Sequence, residues 1–336
     1  RIKPKNFLNN LLHIFLIISL IFSQSFLTFI FSANDAKALT ANGNIVDIDH
    51  IVPDGSTNTI TDRAPNNTPI VNIAAPSGAG VSLNNFTDFN VTNENAIFNN
   101  SGDLTINTNL AGVISGNQNL IPSGVNEAGI IIGQVTGTNR TQLNGFTEIA
   151  GRRAELVLIN QNGINVSGAG FINTSRLSLI TGVVNMNNGN IVDFSLSNDA
   201  NSDIIITGID TPTYVNLGLD ASQVDYVDII SRFVEVSGDI FAGTELNIKT
   251  GNEKYNYDTK EVTSDDDITN NNPTFGLDSS HLGGMYAGKI KIISSKKGVG
   301  VRARGDLVSN VSDIDLEAKG DIEYEKFSGA YVKDPK

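Results

Sequence analysis

The chain of 336 residues contains no cysteine and no tryptophan, and only two methionines. Without cysteine, a disulfide-stapled small fold and a thiolate-ligated metal site are excluded. Positive charge is also scarce: 23 Lys and Arg stand against 36 Asp and Glu, a net charge of −13. The basic excess with which proteins hold nucleic acid or an anionic membrane surface is therefore missing, and no nucleic-acid partner is expected. After residue 31 no apolar run approaches membrane-spanning length. At 40% hydrophobic and 18% charged residues the chain is too apolar for a disordered tail. The 32 glycines and the excess of Asn, Ile, Thr and Ser favour strands and turns.

The first forty residues read as an address. Arg1, Lys3 and Lys5 precede an apolar run from Leu11 to Phe22, and Ala36-Lys37-Ala38 supplies a small-x-small cleavage pattern. This order predicts a secretory signal peptide over residues 1–38, cut after Ala38; the alternative is a retained anchor reaching to Phe31. Cleavage would take four basic residues and one acidic residue with it, leaving a net charge of −16. The absence of cysteine suits a chain that threads a second membrane unfolded, because no disulfide can lock its loops. Beginning at Arg1 and lacking an evident terminal element, the sequence reads as a piece of a longer product.

From about residue 40 short alternating segments dominate, with the two-residue period of half-buried strands. Leu246, Ile248 and Thr250 fall on one face of such a strand and Glu245, Asn247 and Lys249 on the other. Punctuation repeats as Gly102-Asp103-Leu104, Gly238-Asp239-Ile240, Gly305-Asp306-Leu307 and Gly320-Asp321-Ile322. Recurrent strand-plus-turn units predict a β-solenoid, with Gly and Asn at left-handed or tight corners and stacked Asn forming ladders. An antiparallel sandwich or barrel is the competing architecture, in which Asn144-Gly145 and Asn162-Gly163 would be hairpin turns. The polar stretch 252–280, with Asp265-Asp266-Asp267, is expected to be a surface loop.

Several segments, in order, carry a family resemblance. Gly151-Arg152-Arg153-Ala154-Glu155-Leu156-Val157-Leu158-Ile159-Asn160-Gln161-Asn162-Gly163-Ile164 runs on to Ser175-Arg176-Leu177-Ser178-Leu179-Ile180-Thr181-Gly182, and Leu282-Gly283-Gly284-Met285-Tyr286-Ala287-Gly288 follows later. Together with 224–236 and 297–301 they closely resemble the secretion domain of two-partner secretion exoproteins, the filamentous haemagglutinin and haemolysin family. The resemblance implies an all-β fold, a right-handed parallel β-helix with an N-terminal cap and extra-helical loops. It implies a signal peptide at 1–38, the secretion domain at 39–305, and the start of further β-helical repeats at 306–336. It also implies a dedicated outer-membrane transporter with periplasmic docking domains as partner, and a secreted or cell-surface location. Adhesion to host-cell surface or carbohydrate receptors is the default role it suggests. On the order of a dozen coils at about 4.8 Å each would give a rod of roughly 60 Å.

Two family signatures are altered. Asn117-Gln118-Asn119-Leu120 stands where the family has Pro second, and so does Asn160-Gln161-Asn162-Gly163. Loss of a proline that pre-sets a turn costs about 0.4–1 kcal/mol through the unfolded chain without forbidding the turn. By resemblance, these eight residues are the expected transporter-recognition and turn motifs; ordinary turn asparagines are the alternative.

Chemistry is thinly supplied. Beyond residue 38 only His50 and His281 remain as imidazole bases, and no nucleophile elbow, Walker loop, zinc or calcium motif occurs, so no catalytic residue, metal or cofactor is expected. Gly298-Val299-Gly300 reads as a turn. Some parallel β-helices are polysaccharide lyases or hydrolases, and such an enzyme is the alternative function; Asp265, Asp266 and Asp267 are its best candidate cation ligands. Arg304-Gly305-Asp306 matches an integrin-binding tripeptide but coincides with a recurring corner.

Overall fold

A computed structural model describes residues 50–121, 125–265 and 272–325. The expected signal peptide and cleavage site, Asp266 and Asp267, and the last eleven residues lie outside the described residues. The strands coil into a parallel β-helix of three sheets. The first sheet runs through Ile51–Pro53, Val81–Phe89, Ile130–Val135, Ala154–Asn160, Thr174–Ile180, Tyr226–Ser231, Glu245–Thr250, Lys289–Ser294 and Ile314–Ala318. The second, also nine-stranded, begins at Ile60–Arg63 and ends at Leu307–Ser309; the third has seven strands, from Thr141–Leu143 to Ile322–Tyr324. Nine rungs, rather than a dozen, span about 40 Å.

Each coil pairs in register with the next, so like residues stack. Ile131, Leu156, Leu177, Val227, Leu246 and Ile290 form one ladder on the inner face of the first sheet. All six are fully buried in the central core. Leu158, Leu179, Ile229, Ile248 and Ile292 form a second ladder beside it. Alternation along the sequence thus becomes continuity along the axis, which lets each coil bury its apolar face on its neighbours. Polar groups stack likewise: Asn99 donates to Asn72 at 2.8 Å and Asn165 to Gln142 at 3.1 Å, each across a paired position.

At the N-terminal end, Ile51–Pro53 and Ile60–Arg63 pair antiparallel with Val81–Phe89 and Pro69–Asn72, closing the edges of the first two sheets. At the other end of the described residues Ile314, Ile322 and Tyr324 are 38%, 47% and 51% exposed, against the fully buried residues of the preceding rungs.

Three coils are lengthened. In the first sheet Ile130 pairs with Val81, Tyr226 with Arg176 and Lys289 with Glu245, jumps of 49, 50 and 44 residues where the other coils take 19 to 25. The first of these intervals holds an antiparallel hairpin, Thr105–Thr108 with Gly112–Ser115, and the extra chain from the other two meets in a separate antiparallel sheet of Gly182–Asn187, Asn190–Leu196, Lys254–Asn256 and Val262–Thr263. Phe194, Leu196 and Tyr255 press onto Val157, Ile159, Ile180 and Ile230 on the outer face of the first sheet. Ala154–Asn160 is therefore buried on both faces, which is why it reads as a nearly unbroken apolar run. The expected loop at 252–280 is thus a partner strand pair, and Phe275–Ser279 already belongs to the third sheet.

Asn144-Gly145 and Asn162-Gly163 turn between parallel sheets, not within hairpins. The Gly-Asp corners differ from expectation in cause. None of Gly102, Gly238, Gly305 and Gly320 has a positive φ; the left-handed corners belong to residues such as Asn173 and Asn216. What Gly305 supplies is proximity, since a Cβ there would lie 2.2 Å from the carbonyl oxygen of Gly283 on the adjacent coil. Gly305→Ala is expected to cost about 1–3 kcal/mol, and the exposed neighbour Asp306→Ala less than about 0.5, in urea unfolding.

Candidate functional site

The two altered signatures occupy equivalent turns. In the first, the Asn117 Oδ1 accepts the Asn119 N–H at 2.9 Å and the Asn117 carbonyl accepts the Leu120 N–H at 2.9 Å. In the second, the Asn160 Oδ1 accepts the Asn162 N–H at 2.8 Å and the Asn160 carbonyl accepts the Gly163 N–H at 3.2 Å. An Asx turn is thus nested inside a β-turn at both places. Asn117 and Asn160 are 0% and 1% exposed, and their amides reach across coils. Asn117 Nδ2 donates to the carbonyls of Ile73 and Asn99, and Asn160 Nδ2 to the Asn139 carbonyl and the Thr141 hydroxyl. The second asparagines repeat the stitch, Asn119 to the carbonyls of Asn58 and Ile73, Asn162 to that of Gly137.

Leu120 anchors the first turn in the core, and Gly163, at φ 103°, closes the second. Gln118 and Gln161, at the positions proline has in the family, are exposed. The turns therefore form without proline, because asparagine side chains close them. Asn160→Ala strands the Asn139 carbonyl and the Asn162 amide and is expected to cost about 1–3 kcal/mol. Gln118→Pro and Gln161→Pro are each expected to add about 0.4–1 kcal/mol, read by chemical denaturation of the purified chain.

The second turn borders a polar cavity of about 480 Å³ lined by Thr138, Arg140, Gln161, Asn162 and the segment 197–202. Arg140 is held by Asp203 at 2.5 Å and by Asn165, which orients its guanidinium along the wall. Neither Arg140 nor Asp203 stood out in the sequence, since both lie in polar stretches without a motif. Asp199 is the single carboxylate of this lining, so it offers no acid/base pair of the kind glycoside hydrolysis requires.

The remaining sequence candidates are structural or far apart. Asp265 pairs with Lys296 and accepts from the Asn252 amide rather than facing an open cation site. Among the described residues no group of three or more His, Cys, Asp or Glu converges as metal ligands. His50 lies 3.9 Å from Glu94 near the N-terminal cap, and His281 approaches the Arg304 carbonyl and Glu325 at the far end. Arg304 is drawn to Asp278 at 3.7 Å, and Gly305 is fixed by coil stacking, so the Arg-Gly-Asp tripeptide is part of a corner. Gly298 sits in a turn at φ 77°.

Residues 49–324 match the family model of the TPS secretion domain. Among curated proteins, Toxin CdiA of Yersinia pestis is 36% identical over 283 residues, 84% of this chain. The tRNA nuclease CdiA-2 of Burkholderia pseudomallei is 37% identical over 253 residues, and the 16S rRNA endonuclease CdiA of Enterobacter cloacae 37% over 278. The chain spans only 8% of the length of each of these relatives. The crystal structure of the filamentous hemagglutinin secretion domain superimposes with a TM-score of 0.69 at 27% identity, covering 84% of this chain and 98% of that one.

Proposed function

The chain belongs to the TPS secretion domain family, and from that premise we propose that it is the export module of a large two-partner secretion exoprotein, led by a cleaved signal at 1–38 and carried across the outer membrane by a dedicated transporter. The observation that carries this reading is the family match over 49–324, coincident with one continuous β-helix. The transporter's periplasmic docking domains engage the chain before it folds, and the folded domain ends at the cell surface. The relatives' names, toxin and nuclease, favour toxin delivery over adhesion as the task of the whole protein. Any such activity belongs to chain beyond this module, as does any host receptor.

The physics of export follows from the register. Most coils pair over 19 to 25 residues, so each arriving coil closes a short loop onto a surface already formed, and folding advances from the capped end without ATP. The strands Leu307–Ser309, Ile314–Ala318 and Ile322–Tyr324 continue the three sheets in register, which supports β-helical repeats from 306 onward. Because the folded state consumes the Asn117 and Asn160 amides, any transporter contact with them is made by the unfolded chain. Of the eight motif residues in the folded domain, only Gln118, Gln161 and the half-buried Asn119 and Asn162 face outward.

The test is secretion of the C-terminally tagged chain from cells with and without the partner transporter. A shortened, protease-resistant product is expected in the medium only when the transporter is present. Retention in the periplasm with the transporter present would overturn the reading. Asn160→Ala is expected to emerge more slowly and to be digested more readily, whereas Gln161→Pro is expected to emerge at least as fast as the parent.

A further inference from the structure

The outer face of the first sheet changes character along the axis. One row reads Val157, Ser178, Asp228, Asn247 and Lys291, and the next Ile159, Ile180, Ile230, Lys249 and Ile293. The apolar part lies under the extra-helical sheet. Where charge begins, the segment containing Tyr257 to Lys260 overhangs the strands and encloses a second cavity of about 230 Å³. Four cations line it, Arg176, Lys249, Lys260 and Lys291, against two carboxylates, Asp228 and Glu245.

The carboxylates are poorly placed to balance them. Asp228 is 1% exposed; its Oδ2 takes the Arg176 guanidinium at 2.6 Å and its Oδ1 the Asn247 amide at 3.0 Å. Arg176 is committed further, lying over the Tyr226 ring with its centre 4.4 Å from the centroid and its Nε 3.8 Å from Glu155. Lys260 is turned onto the Tyr257 ring at 3.5 Å. Lys249, 7% exposed, finds only one acceptor among the described residues, the Lys260 carbonyl at 2.5 Å. An ammonium has three donors, and one neutral acceptor satisfies neither their number nor the charge. Lys291 lies diagonally across the strand pair from Lys249, an arrangement that adds repulsion. Burial, together with the nearby like charges of Lys291 and Arg176, depresses the Lys249 pKa despite Asp228 and Glu245.

We propose that this cavity is a binding site for a tetrahedral oxyanion, a phosphate or sulfate group held by Lys249 and Lys291 with Lys260 closing over it. The bound group supplies acceptors for the idle donors and the negative charge that Asp228, already engaged, and Glu245, four residues away along the strand from Lys249, do not. At water's share of about 30 Å³ per molecule the space admits such a group with part of its hydration shell. The site joins a coil strand to the extra-helical sheet, so occupancy pins that sheet to the rod. This inference is independent of the export reading, because it rests on the folded domain alone.

Titration of the purified chain with inorganic phosphate at constant ionic strength, followed by calorimetry and by thermal unfolding, tests it. Saturable binding is expected, with a rise in Tm that sodium chloride at the same ionic strength does not reproduce. Lys249→Met and Lys291→Gln are each expected to weaken binding at least tenfold. In phosphate-free buffer Lys249→Met is also expected to melt no lower than the parent, since it removes a buried charge lacking compensation. Glucose 6-phosphate and glucose 6-sulfate, titrated beside the free ion, separate the sources: tighter binding of an ester assigns the site to an esterified group, tighter binding of phosphate to the ion. Failure of all three to bind, or undiminished binding by both variants, overturns the site.

Discussion

The structure depends on one constraint, that the inner strands of the three sheets take their hydrogen bonds from the coil before and the coil after. Neighbouring coils must therefore approach to about 4.8 Å along their whole circuit, corners included. On the flat faces this distance suits stacked aliphatic side chains, and the ladder from Ile131 to Ile290 results. At the corners two solutions occur. Glycine removes the Cβ where backbones nearly touch, as Gly305 does against Gly283, and asparagine stitches one corner to the next through its amide, as Asn117 and Asn160 do.

That constraint also gives the rod a direction. The first coils begin with strands paired antiparallel to their neighbours, whereas every later pairing within the three sheets is parallel. Folding that starts at the antiparallel end can then advance one coil at a time along the axis. The substituted prolines weaken this scheme little, because Gln118 and Gln161 are exposed and the turn hydrogen bonds come from asparagine.

The four-stranded extra-helical sheet departs from coil logic, and it creates chemistry that the plain rod lacks. By covering the apolar rows around Val157 and Ile230 it makes a second core. By stopping where those rows turn polar it leaves Lys249 and Asp228 buried at its margin. Charged side chains on an uncovered solenoid face would be solvated; beneath an overhang they must be paired or hold a ligand.

The sequence by itself determined the strands, the solenoid and the family, because two-residue alternation and Gly-Asp corners are local signals that each coil repeats. It also marked Asn117 and Asn160 as special, through the shared Asn-Gln-Asn pattern. Only the tertiary structure decided what those asparagines do, since their partners lie 18 to 44 residues earlier in the chain. It likewise decided that 182–196 and 254–263 form one sheet, because antiparallel pairing between two distant insertions leaves no periodic trace. Lys249 shows the limit most plainly. Its alternating position assigns it to the outer face of a strand, and whether that face meets water or an overhang depends on chain that returns after leaving the coil. A local pattern fixes the direction of a side chain, but the dielectric around it is set by everything that packs against it.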